Sequence, residues 1–339
     1  MKISRLTIYG ILALVFLVSG CKQTSKNKIT FNSFKALDDS VYMLYQKKQY
    51  KDAIDLLENN KEQFNDNLYD AEWFLFVLYR DNNQYKEALN IIRRANDKGF
   101  WYGISESTPF YSEFQKLENF NSIITKNDKL KQLAQENAKP LTVVELPKNY
   151  TANKKYPLFI ALHGYGESIA FFKDFWKSEK IKNEFIIMYP QSSQVASMKG
   201  FGWTDKEIGI KEISSAFSDV TSKYSVDNDQ IIVGGFSQGG GLSMQISLQN
   251  IIPVRGFISL CPIKPEGITI TNIVEMNNRN MHGVILTGEN DSYLTIQKEI
   301  VSKFDSLQFP CNFIIHENLG HWFPNDISIK IDDAITYIL

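Results

Sequence analysis

Gly235-Phe236-Ser237-Gln238-Gly239 follows the apolar run Ile231-Ile232-Val233 and precedes a stretch with helical character from Gly240 to Gln249. An apolar strand feeding a helix through Gly-x-Ser-x-Gly describes a sharp, strained turn that lifts the serine oxygen clear of a sheet edge. Tight packing on both sides of such a turn requires residues without side chains, and Gly235 and Gly239 occupy those places. The five-residue pattern alone would arise in roughly one chain in ten of this length. The neighbouring segments therefore have to carry the reading.

Two strand-then-loop segments lie downstream of Ser237. Val284-Ile285-Leu286-Thr287 runs into Gly288-Glu289-Asn290-Asp291, and Asn312-Phe313-Ile314-Ile315-His316 runs into Gly320-His321-Trp322. The order is serine, carboxylate, histidine, with each residue on a loop after a strand. Upstream, Leu158-Phe159-Ile160-Ala161-Leu162 ends in His163-Gly164-Tyr165-Gly166, a loop placed to offer backbone N–H groups. A serine alcohol is a poor nucleophile unless a neighbouring base removes its proton, and imidazole can do so near neutral pH. Of the four histidines, His163 belongs to the upstream loop, His282 opens a strand and His316 lies in or at the end of one. His321 follows both the acid and the last strand by a glycine-containing loop, with His316 as its rival. Glu289 and Asp291 are the rival acids.

Residues of about 141 to 339 resemble an esterase of the α/β-hydrolase superfamily. The motifs that carry the resemblance are Gly-Phe-Ser-Gln-Gly-Gly from residue 235, His-Gly-Tyr-Gly from 163, Gly-Glu-Asn-Asp from 288 and Gly-His at 320. Together with Tyr189-Pro190-Gln191 and Gly202-Trp203-Thr204-Asp205 they are similar to the phospholipase/carboxylesterase and predicted-esterase branch. The resemblance implies Ser237 as nucleophile, His321 as base and Asp291 as the acid that orients it. It implies an oxyanion hole made by the backbone N–H groups of Gln238 and Tyr165, and no cofactor. The Tyr165 side chain is then free to touch substrate. Trp203 either stacks on a sugar or aromatic acyl group or covers the core, and Trp322 is expected to pack and fix the His321 loop. The expected activity is hydrolysis of a carboxylic ester, with acyl esters of carbohydrates favoured by the 189 to 205 segment. The alternatives are a serine peptidase of the same fold and a non-catalytic binding platform.

The fold class expected is α/β, a doubly wound and mostly parallel sheet over 140–339. Its strands are read at 141–146, 156–162, 185–189, 230–235, 254–260, 283–287 and 311–316. Helices are read at 169–182, 206–223, 295–307 and 327–338 between them. Before it, 34–135 reads as a small α-helical module. Tyr50 to Leu57 and Tyr85 to Ile92 repeat thirty-five positions apart, close to the tetratricopeptide period. Each Tyr is expected to open the second helix of a hairpin, with Ala53 and Ala88 at close helix contacts. Two repeats are too few for a free-standing solenoid, so the module either packs on the catalytic domain or offers a groove to a protein partner.

Residues 1–20 read as a signal sequence, with Lys2 and Arg5 before an apolar core at Ile8–Val18 that is short for a membrane span. Leu17-Val18-Ser19-Gly20-Cys21 matches a bacterial lipobox, which makes Cys21 the lipidated first residue of a mature protein held at the cell envelope. Lys22 does not suggest retention at the inner membrane, and 21–33 reads as a polar tether. Loss of Lys2 and Arg5 takes the formal charge from −1 to −3, which does not suggest nucleic acid as a partner. Cys261 and Cys311 are expected at opposite ends of their strands, too far apart to bridge, and therefore as buried free thiols. No metal-ligand spacing is present.

Overall fold

The computed structural model describes residues 30–339; the signal, lipobox and most of the tether lie outside the described residues. Two compact units are present, dividing between Leu68 and Tyr69. The first holds α1 (Phe34–Gln46) and α2 (Tyr50–Asn60), followed by two short 3-10 turns at Lys61–Gln63 and Asn65–Asn67. Ser33 caps α1 by accepting from the Ala36 N–H at 3.2 Å, which satisfies one of the orphan donors of a helix start. Ala53 and Leu57 of α2 are buried.

The second unit begins with α3 (Leu68–Asp81), α4 (Tyr85–Asp97), α5 (Tyr111–Gln115) and α6 (Phe120–Asn137). Tyr50 and Tyr85 both open helices, and Ala88 and Ile92 are buried as their counterparts in α2 are. The expected boundary near 135 to 140 does not coincide with a division between units. Helices from Tyr69 onward share one unit with the sheet, because side chains fasten the two parts. The Gln135 amide donates to Ser193 O at 2.9 Å and accepts from the Val195 N–H at 3.0 Å, and Lys199 lies 2.7 Å from Asp70.

The sheet has seven strands: β1 (Leu141–Glu145), β2 (Tyr156–Leu162), β3 (Ile186–Gln191), then, after a hairpin of β4 (Val195–Ser197) and β5 (Gly200–Phe201), β6 (Val226–Phe236), β7 (Gly256–Leu260), β8 (His282–Gly288) and β9 (Cys311–His316). The order is β1-β3-β2-β6-β7-β8-β9, with β1 antiparallel to β3 and every other pair parallel. Period-two alternation divides β2 and β6 between two cores. Leu158, Ile160, Ile231 and Val233 face one core, which also receives Ile213 of α9 (Lys206–Lys223), Leu242 of α10 (Gln238–Leu248), Ile273 of α11 (Ile270–Asn278) and Ile300 of α12 (Leu294–Ser306). Phe159, Ala161 and Ile232 face the other, with Phe172 of α7 (Ile169–Phe172), Ile181 of α8 (Glu179–Glu184) and Ile331 and Ile335 of α13 (Ile327–Ile338).

The expected helix at 169–182 is broken into α7, a 3-10 turn at Lys173–Phe175 and α8. Trp176 turns fully into the core, and Ser178 caps a new helix by accepting from the Ile181 N–H at 3.1 Å. The β4–β5 hairpin and α11 were not anticipated. The central strand β6 ends at Phe236, so Ser237 stands at the carboxyl edge of the sheet, where parallel α/β sheets place their binding crevices.

Candidate active site

Ser237 joins β6 to α10 with φ 53° and ψ −111°, a left-handed conformation that a non-glycine residue adopts at some cost. Its N–H donates to Leu260 O at 2.9 Å, and its carbonyl accepts from Gly241 and Ile263. The flanking glycines are required by space. A β-carbon on Gly235 would overlap the backbone of Gly239, and one on Gly239 would overlap the carbonyls of Leu162 and His163. The turn is thus wedged between its own helix and the end of β2.

Three of the expected residues converge. His321 Nε2 lies 2.8 Å from Ser237 Oγ, and His321 Nδ1 lies 3.0 and 3.1 Å from the two Asp291 oxygens. Asp291 is 6% exposed and also accepts from the Tyr293 N–H at 2.8 Å and the Thr287 hydroxyl at 3.1 Å. Burial raises its pKa, but the Tyr293 N–H, the Cys261 thiol and the His321 ring together outweigh burial and hold the carboxyl below its ordinary range. Glu289 is engaged elsewhere, accepting from the Asn318 N–H at 3.1 Å. His316 stays within β9.

Among the described residues, neither the Gln238 N–H nor the Tyr165 N–H has a hydrogen-bond partner. The first opens α10, where free donors and the helix dipole favour negative charge. The second belongs to the loop after β2. That loop is fixed by Glu167, whose carboxylate accepts from the Gly164 N–H at 2.7 Å, and by reciprocal backbone bonds between Gly166, Glu167 and Phe201. His163 lies beneath it, fully buried; its Nδ1 donates to Gly164 O at 2.8 Å and its Nε2 accepts from the Ser192 N–H at 3.3 Å. Burial pushes this ring down to about 4, which keeps it neutral as that bonding requires.

Trp203 requires a correction as a substrate-stacking candidate. It is fully buried, its indole N–H donates to His163 O at 2.9 Å, and its ring stacks on His163 at 4.6 Å. The segment just before α9 turns inward there, held by the Trp203 N–H donating to the Gln238 side chain at 2.7 Å. Trp203 therefore props the two loops that carry the free N–H groups. Trp322 does pack, against Phe175 and Phe236, yet it remains 43% exposed. With Tyr165, Phe171 and Tyr293, all more than a third exposed, it gives the site aromatic walls. Phe171 and Tyr293 escaped the sequence reading because nothing in their local pattern separates a wall residue from a helix residue.

Cys261 is a further residue the sequence did not bring to the site. It follows β7 with φ 46°, and its sulfur, an Asp291 oxygen and a His321 ring nitrogen lie within 4.8 Å of one another. Burial pushes the thiol up to about 12, so it is a neutral packing group behind the carboxylate. Cys311 opens β9 and is also free, though only partly buried.

The family model described as phospholipase/carboxylesterase matches residues 149–326, more than half of the chain. The chain belongs to this family. The matched segment takes in the strands from β2 to β9 and the Ser237 turn, and begins after β1. Among solved structures, an uncharacterised protein from Bacillus cereus is 26% identical, with a TM-score of 0.50, over 90% of this chain and 98% of its own. The similarity to that protein thus takes in the helical region as well as the sheet. Esterase PE8 is 16% identical over 59% of this chain and 100% of its own, with a TM-score of 0.47. A feruloyl esterase module from Clostridium thermocellum is 19% identical over 59% of this chain and 87% of its own, with a TM-score of 0.46. No curated protein matches the chain.

Proposed function

We propose that the protein is a serine-dependent carboxylic ester hydrolase working through an acyl-enzyme. The observation that carries this reading is the unbroken relay from Ser237 Oγ through His321 to Asp291, at 2.8 and 3.0 Å, on a strained strand-to-helix turn. His321 Nε2 takes the Ser237 proton as Oγ attacks the ester carbonyl, and the carbonyl oxygen gains charge beside the free N–H groups of Gln238 and Tyr165. Collapse of this intermediate breaks the bond to the alcohol, which leaves with the proton from His321. Water then attacks the acyl-serine, giving its proton to His321, and the carboxylic acid departs as Oγ recovers that proton. Asp291 holds the imidazole in the tautomer with Nδ1 protonated and stabilises the imidazolium.

Membership in the phospholipase/carboxylesterase family supports ester over peptide chemistry. The lipobox ending at Cys21 supports a lipid-anchored place at a bacterial cell envelope, which makes extracellular or periplasmic esters, including acylated glycans, the accessible substrates. The test is turnover of 4-nitrophenyl acetate beside the matched anilide. The wild type is expected to hydrolyse the ester and to favour it over the anilide, and Ser237→Ala is expected to lower kcat by about 10⁴-fold or more. Turnover retained by Ser237→Ala would remove the mechanism.

A further inference from the structure

Three phenylalanine rings stack beside the triad. Phe175 and Phe323 are 4.7 Å apart at 26°, Phe323 and Phe236 are 4.7 Å apart at 34°, and Phe323, between them, is only 5% exposed. Trp322 is near perpendicular to all three, at 78°, 85° and 84°, with centroid distances of 5.6, 5.7 and 5.9 Å. It lies across the edge of the stack rather than within it, and 43% of it stays open. Phe171 extends the open surface, 48% exposed, with its ring 6.3 Å from Trp322 and 5.1 Å from Phe175. A buried stack thus supports a shelf of two exposed rings.

The shelf adjoins the reacting atoms. Phe236 immediately precedes Ser237 and Trp322 immediately follows His321. The Phe236 ring lies 5.1 Å from that of His321, whose Nε2 is 2.8 Å from Ser237 Oγ. In the reaction set out above, His321 takes the Ser237 proton and passes it to the departing alcohol. The alcohol oxygen therefore has to come within hydrogen-bond reach of Nε2. The carbonyl oxygen is meanwhile directed to the Gln238 and Tyr165 N–H groups, and the acyl carbon is bonded to Oγ. Of the two groups that an ester carries, the one on the alcohol oxygen is led past His321 and onto Trp322 and Phe171.

We infer that Trp322 and Phe171 form the subsite of the departing alcohol and select alcohols that carry an apolar ring. This role rests on the ester-hydrolase reading and deepens it by naming the alcohol. Covering ring carbon on an exposed aromatic surface is favourable in proportion to the area removed from water, and an aromatic alcohol adds offset or edge-to-face stacking. The charged side chains of the 3-10 turn that supplies Phe175 are paired, Lys173 with Glu145 at 3.5 Å and Asp174 with Lys177. The hydroxyls of a sugar laid on the shelf would gain no fixed partner from that turn.

The experiment compares kcat/KM of the whole chain for four esters: methyl acetate, benzyl acetate, methyl phenylacetate and methyl 6-O-acetyl-glucopyranoside. Benzyl acetate and methyl phenylacetate are isomers that carry the same ring on the alcohol side and on the acyl side. The expected result is that benzyl acetate is the best of the four. Its advantage over methyl acetate is expected to fall about fivefold or more in Trp322→Ala and about threefold in Phe171→Ala, with the ratio of methyl phenylacetate to methyl acetate little changed. Ratios cancel any effect of Trp322→Ala on His321 itself, and Phe171→Ala keeps the test sound if the first variant fails to fold. A benzyl advantage that is absent from wild type, or unchanged in the folded variants, would overturn the subsite. A loss confined to methyl phenylacetate would assign the shelf to the acyl group, and a sugar ester that is preferred and falls with the variants would assign it to a sugar; either overturns the inference and leaves the ester-hydrolase reading standing. Turnover of 4-nitrophenyl acetate with none of the four does the same. A wild type that hydrolyses no ester at all removes the ester-hydrolase reading, and the subsite with it.

Discussion

His321 Nδ1 sits almost midway between the two carboxylate oxygens of Asp291, at 3.0 and 3.1 Å. A carboxylate held this way fixes both the tautomer and the plane of the ring, leaving Nε2 as the acceptor that faces Ser237. Asp291→Asn replaces one oxygen with a donor and favours the opposite tautomer. The expected outcome is a fall in kcat of about 10³- to 10⁴-fold on a simple aryl ester with KM little changed. Steady-state kinetics on the two proteins check this, and a change of less than tenfold would mean that Asp291 is not the orienting acid.

Glu167 makes the loop after β2 sensitive to pH. Burial pushes its carboxyl from 4.5 up to about 7, although the Gly164 N–H draws it the other way. The folded state therefore holds this proton more tightly than the unfolded chain does. The resulting stability is complete below about pH 4.5 and is lost as pH rises through about 7. Glu167→Gln keeps an oxygen for the Gly164 N–H but cannot ionise. Urea unfolding should show the variant close to wild type near pH 4 and more stable by roughly 2 to 3 kcal/mol near pH 8.5. A difference that does not vary with pH would contradict the assignment.

Gly239 is where the serine turn meets β2, with the Leu162 and His163 carbonyls in the space a side chain would need. Backbone atoms cannot rotate aside as a flexible side chain can. Gly239→Ala should cost more than about 3 kcal/mol, or give no soluble protein. Gly320→Ala is the control, since a β-carbon there meets nothing within 4 Å. Equal stability of the two variants by thermal melting would show that the turn is not wedged as described.

The two free thiols are expected to be inert in the folded protein. Burial pushes Cys261 up to about 12 and moves Cys311 upward as well, so neither offers thiolate near neutral pH. Iodoacetamide should leave both unmodified under native conditions and modify both in denaturant without reductant. Mass spectrometry of the 261 and 311 peptides reads either result, and labelling of Cys261 in the native protein would show that the group behind Asp291 is accessible.

The segments most legible in the sequence were those where a local rule and the tertiary fold agree. The strand-turn-helix around Ser237, and the glycine loops carrying Asp291 and His321, combine an apolar period with residues that the turn itself demands. What escaped depends on contacts between distant segments. Trp203 reads as a loop aromatic, and only the approach of His163 from β2 makes it a buried prop. The break in 169–182 depends on Trp176 finding a place in the core against Phe159 of β2 and Phe323. Cys261 reaches Asp291 across neighbouring strands, and Gln135 and Asp70 bond to residues 58 or more positions away. No periodicity in α3 or α6 encodes those bonds.

The most direct test of the account is labelling of the whole chain by a fluorophosphonate, wild type beside Ser237→Ala, with peptide mapping of the adduct. The account predicts a single phosphonylated residue, Ser237, formed within minutes and absent from the variant. A folded wild type that forms no adduct, or forms it on another residue, would contradict the claim that the Ser237, His321 and Asp291 relay activates a nucleophile.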